Sequence, residues 1–155
     1  MQRSALFSNC KKYRYLLGRE WDINKPKILF IGLNPSTADE YKDDPTILRC
    51  IQFAKSWGYG SLKIANIFAY RATDPNVLLK EKEPIGKDNN EHIITSDKEC
   101  NKTVIAWGNH GLFLNRAADV LPLIQDPYCI KKNSNGTPSH PLYLPKKLTP
   151  FKYIN

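Results

Sequence analysis

The sequence has no apolar run near the roughly 20 residues that a membrane-crossing helix needs, which excludes a helical span. Its N-terminus carries no apolar core of a secretory leader. The four cysteines, Cys10, Cys50, Cys100 and Cys129, are scattered and include no C-x-x-C pair. That spacing supports neither a disulfide framework nor a zinc site, and four reduced thiols in a cytoplasmic protein are expected. Acid is scarce: 15 Asp+Glu stand against 23 Lys+Arg, a formal charge of +8. Such an excess favours polyanionic partners, nucleic acid first, and says nothing about fold.

What is present reads as one globular domain over residues 1–155, with 41% hydrophobic and 11% aromatic content. Its organising stretch is Lys27-Ile28-Leu29-Phe30-Ile31-Gly32-Leu33-Asn34-Pro35-Ser36. The first half is a short apolar run, the pattern of a strand buried on both faces. The second half is a turn of residues that tolerate unusual backbone angles or offer short polar side chains. Ligands of open α/β sheets bind beyond the carboxyl ends of strands, so this turn is the first place to seek chemistry.

Upstream, residues 13–21 carry aromatic and β-favouring side chains around Gly18, which predicts a short N-terminal hairpin laid against the main sheet. Downstream, Asp44-Pro45 is a helix cap followed by proline at the first helical position. The helix is expected to run to Trp57, with Gly58 ending it. Residues 62–69 form the next strand, residues 89–101 a polar helix, and residues 103–107 a third buried strand ending in Gly108-Asn109-His110. A helix over residues 112–121 and a strand over residues 128–131 follow. A loop rich in Asn, Ser, Gly and Pro then delivers His140-Pro141. The alternation predicts an α/β three-layer sandwich around a mainly parallel sheet of about four strands.

That order brings Asn34, Asn66, Asn109 and the His140 loop to one edge of the sheet. Asn66 stands out, because a carboxamide inside an apolar strand must find partners or face a ligand. The acidic residues 39–44 suggest a metal cluster, but Asp44 has a capping task and the others read as solvated loop charges. No metal and no cofactor are expected.

Gly32-Leu33-Asn34-Pro35 resembles the first motif of the uracil-DNA glycosylase superfamily, in particular its mismatch-specific branch. Asn66 matches in order and placement the Asn with which that superfamily reads a flipped pyrimidine. Trp107-Gly108-Asn109-His110 is similar to the segment after its third strand. His140-Pro141 is similar to the start of its His-Pro-Ser-Pro-Leu motif. A still closer likeness is to a bacterial and phage family of unknown function that shares the Gly-Leu-Asn-Pro-Ser, Trp-Gly-Asn-His-Gly and His-Pro-Leu-Tyr-Leu blocks.

The superfamily resemblance implies a DNA glycosylase fold and a set of roles. Gly32, Leu33, Pro35 and Ser36 would shape the pocket with Asn109, and Asn66 would read the base. Asn34 would position water, and His140 would stabilise the departing base. Leu144 would wedge into the duplex, with Lys146 and Lys147 on phosphates. Three departures stand out. Asn34 replaces an aspartate and cannot act as a base, Leu142 replaces a phosphate-contacting serine, and the stacking aromatic is open between Tyr41 and Phe53. The expected partner is DNA or another nucleic acid, or a nucleobase or nucleotide ligand, met by a monomer. Two other classes stand beside a glycosylase: a non-catalytic nucleic-acid-binding module, and a metal-dependent enzyme acting on a free nucleotide or nucleoside.

Overall fold

The computed structural model of the chain describes residues 1–154. Seven strands form one sheet: β1 (Gln2–Phe7), β2 (Arg14–Glu20), β3 (Lys27–Gly32), β4 (Ser61–Asn66), β5 (Lys102–Ile105), β6 (Pro127–Cys129) and β7 (Phe151–Lys152). The helices are α1 (Pro45–Ser56), α2 (Pro75–Lys80), α3 (Asn89–Glu99) and α4 (Arg116–Val120). The strand order is β1-β2-β4-β3-β5-β6-β7. The four central strands are mutually parallel, while β1, β2 and β7 run antiparallel to their neighbours.

The expected mainly parallel, four-stranded sheet is thus the middle of a larger mixed one. The N-terminal hairpin does not lie against the sheet but continues it, with Leu17 opposite Ile64 and Glu20 opposite Ser61. Gly18 marks no turn. It sits mid-strand opposite Ser4, and a Cβ there would collide with the Ser4 side chain. A Cβ at residue 18 would therefore force the Ser4 hydroxyl to another rotamer.

Period-2 alternation sorts β3 onto two faces. Ile28 and Phe30 join Ile47, Ile51, Phe53 and Ala54 of α1 in one core. Leu29 and Ile31 join Leu78 of α2, Ile93 of α3 and Val120 of α4 in the other. Each fully buried aliphatic or aromatic side chain contributes about 1.5–3 kcal/mol, so the strand with two cores anchors the domain. Cys50 and Cys129 are buried members of these cores.

Caps explain the helix starts. Asp44 accepts the Ile47 N–H at 2.9 Å ahead of Pro45. Asp74-Pro75 repeats the device, with Asp74 accepting from the Asn76 N–H at 2.9 Å, and opens the unexpected α2. The helix expected over residues 112–121 is short. Residues 109–115 form 3₁₀ turns broken by left-handed Leu114 and Asn115, and α4 begins only at Arg116.

From β3 the chain crosses through α1 to β4 on one side, and from β5 it crosses through α4 to β6 on the other. The carboxyl ends of β3 and β5 therefore flank a topological switch point, where open α/β sheets form their ligand crevice.

Candidate functional site

A small crevice, with about 60 Å³ of internal space, lies at that switch point. The turn after β3, the end of β4, the N-terminus of α1 and the His140 loop all line it. Gly32, Leu33, Asn34, Pro35, Ser36, Asn66 and His140 are thus brought together as expected from sequence.

Gly32 and Asn66 are register partners on the paired ends of β3 and β4. A Cβ at residue 32 would stand 2.9 Å from Asn66 Oδ1, so the glycine leaves room for the amide. Asn66 is 3% exposed, and its Nδ2 has no hydrogen-bond partner among the described residues. Leaving a buried donor unmade costs about 1–3 kcal/mol. Its backbone carbonyl, by contrast, accepts the Asn89 side chain at 2.8 Å.

Asn34 is half-buried and already employed. Its Nδ2 donates to Ala72 O at 2.8 Å and Pro35 O at 3.1 Å, which straps the turn after β3 to the segment after β4. Its oxygen is the group left over for a ligand.

His140 reaches the crevice through a chain of contacts. Gly108, at a φ of +72°, donates its N–H to Pro138 O at 2.8 Å. Asn109 Oδ1 accepts the Thr137 hydroxyl at 2.7 Å and Asn133 Nδ2 at 3.1 Å. Asn109 therefore ties down the His140 loop, and it borders an adjoining groove instead of the crevice itself. The Leu142 N–H donates to His140 Nδ1 at 3.2 Å, so the neutral ring carries its proton on Nε2. Part of His140 is exposed at the mouth, yet the protein around the ring strips enough hydration to lower its pKa, with the Asp44 carboxylate pulling the other way.

The remaining sequence-derived residues lie around this centre. Leu144 borders the adjoining groove and packs on the α1-side core, so wedging would require it to leave that contact. Lys146 and Lys147 are exposed. Of the two candidate stacking aromatics, Phe53 is 1% exposed and stacks on Trp57 inside the core, out of reach of a ligand. Tyr41 is 82% exposed. The acids of residues 39–44 are divided among separate tasks: Asp39 accepts the Tyr41 and Lys42 N–H groups, Asp43 pairs with Arg3 and Arg19, and Asp44 caps α1.

Two lining residues escaped sequence reasoning, Arg14 and Asp44. Arg14 is 2% exposed, and burial lowers its pKa to about 10, still leaving it charged near neutral pH. Asp44 spends Oδ1 on its cap, while its charge acts on both Arg14 and His140. Asp44 did carry a signal, its cap position, which hid the second role. An arginine in a strand carries none.

No helix among the described residues is long and apolar enough to cross a membrane. No curated protein and no solved structure matches the chain. A family model does match, over residues 14–142, a span that starts at Arg14 and takes in Asn34, Asp44, Asn66 and His140 but stops short of Leu144, Lys146 and Lys147. The chain belongs to that family, described as Protein of unknown function (DUF1643).

Proposed function

We propose that this protein binds nucleic acid, receives one unstacked nucleobase in the crevice and hydrolyses its N-glycosidic bond, in the manner of the uracil-DNA glycosylase superfamily that its motifs resemble. The observation that carries the reading is Asn66, a carboxamide with unpaired donors set against a glycine at the strand-end crevice. A donor and an acceptor side by side match the hydrogen-bonding edge of a base. Flipping a base costs a few kcal/mol, offset by the pocket and by phosphate contacts from a cationic surface.

In such a reaction the bond between the sugar C1′ and the base nitrogen breaks, and its electron pair leaves with the base. The oxygen of water bonds to C1′, and the proton that water sheds balances the one the base takes up. Neutral His140 offers Nε2–H to the anionic oxygen that develops on the base, stabilising charge that exists only late in the reaction. Asn34 accepts no proton, so its free oxygen orients water. Asp44 is the carboxylate placed to oppose the cationic sugar and receive the proton.

The test is base release from labelled duplexes and single strands carrying uracil, hypoxanthine, xanthine or G:T and G:U mismatches. Abasic product from wild type, lost in His140→Ala and Asn66→Ala, is the expected result. Salt-sensitive binding without product reduces the reading to a non-catalytic module, which the strapping role of Asn34 favours. Neither product nor binding removes it.

A further inference from the structure

We propose that the crevice also holds a phosphate group, of a nucleotide or of a nucleic-acid strand, with the Arg14 guanidinium as its fixed counter-charge. The inference rests on Arg14, not on base extrusion, and holds whether or not any bond is cleaved.

Three arginines are nearly buried, and two are well satisfied. Arg19 pairs with Asp43 at 2.9 Å and donates to the carbonyls of Gly18 at 2.8 Å and Lys42 at 3.1 Å. It also donates to Asp39 O. Arg116 donates to Ile67 O at 2.7 Å and to Asn90. Among the described residues the Arg14 side chain makes one bond, from Nη1 to Ala38 O at 3.0 Å. Its Nε is buried with no partner, and no ion pair to it is present among the described residues. A buried cation with no acid in ion-pair contact calls for an anion.

The surroundings specify which anion. A guanidinium fork fits two oxygens of one phosphate. With Asn66 and His140 left to the base, the Thr46 hydroxyl is a further donor lining the same space, and the N-terminus of the twelve-residue α1 opens onto it. Asp44 is the one acid there, and one of its oxygens is spent on the cap. Outside, the groove that shares Ser36 with the crevice carries Lys11, Lys12 and Arg71. A cationic rim around an unpaired guanidinium suits phosphate chains better than a lone carboxylate.

The experiment is thermal denaturation and calorimetric titration of the full chain with inorganic phosphate, uridine monophosphate, and one short oligonucleotide with and without a terminal phosphate. Sodium chloride at matched ionic strength is the control. Phosphate is expected to raise the melting temperature of wild type beyond the salt control. Arg14→Met is expected to bind at least about tenfold more weakly, with Arg14→Lys between, since it keeps the charge and loses the fork. Preference for the phosphorylated oligonucleotide assigns the group to a strand end, and equal response to uridine monophosphate assigns it to a free nucleotide. Equal responses of wild type and Arg14→Met, or none to any ligand, overturn the proposal. Phosphate binding by a wild type that releases no base removes the hydrolysis reading alone, and base release without a phosphate response removes this one alone.

Discussion

Arg14 and Arg19 sit five positions apart on β2, both almost fully buried, and both hold the loop that precedes α1. Their surroundings are opposite. Around Arg19 the loop folds back so that carbonyls and Asp43 meet the guanidinium, and its burial is compensated within the chain. Around Arg14 one carbonyl is supplied, Nε has no partner among the described residues, and the residue lines the crevice. The same residue type, on the same strand, is a structural rivet in one place and an open valence in the other. Asn89 and Asn66 repeat the contrast: the first donates to two backbone carbonyls, at 2.8 and 3.2 Å, and the second has donors with nothing to bond.

The comparison breaks most visibly at the arginines. Arg19→Met leaves Asp43 with Arg3 alone, takes this donor from four carbonyls and is expected to destabilise the fold by about 3–5 kcal/mol, read as a lower urea midpoint. Arg14→Met removes a buried charge that has no contact ion pair and is expected to lower stability by no more than about 1 kcal/mol, or to raise it, read from the same midpoint. Equal losses in the two variants would dissolve the distinction. A smaller effect separates the asparagines. Asn89→Ala is expected to cost about 1–3 kcal/mol by taking its donor from the buried Asn66 carbonyl, Ile67 O keeping its bond from Arg116, while Asn66→Ala costs under about 1 kcal/mol and acts on ligand binding instead.

The smallest effect is in pH. Burial lowers the His140 pKa in the folded chain below its ordinary 6.5. The unfolded chain then binds more protons in that window, so stability is full above about pH 6.5 and declines as pH falls below it, levelling off below the folded pKa. Urea midpoints measured from pH 7.5 down to pH 5 are expected to show that decline in wild type and a shallower one in His140→Gln. An unchanged profile would mean that the ring is fully solvated.

Much of this was legible in residue order. The run from Ile28 to Ile31 read as a doubly buried strand because nothing polar interrupts it, and Asp44-Pro45 read as a helix start because its cap is a local bond. Asp74-Pro75 carries the same mark and opens α2, so that helix was readable and simply masked by the polar residues around it. The convergence of Asn34, Asn66 and His140 followed from the strand–helix alternation alone. The hairpin was harder. Gly18 reads as a bend in one dimension, and its strand partner, Ser4, lies fourteen residues away.

By itself, then, the sequence determined the alternating elements, their caps and the strand-end polar turns, because each rests on contacts within a few residues or on a fixed period. Only the tertiary structure decided that the hairpin extends the sheet, that Asn109 serves the His140 loop, and that Arg14 and Asp44 face one crevice. Those outcomes depend on which groups meet after long loops close, and on whether a buried charge then finds a partner. Local pattern carries no record of either.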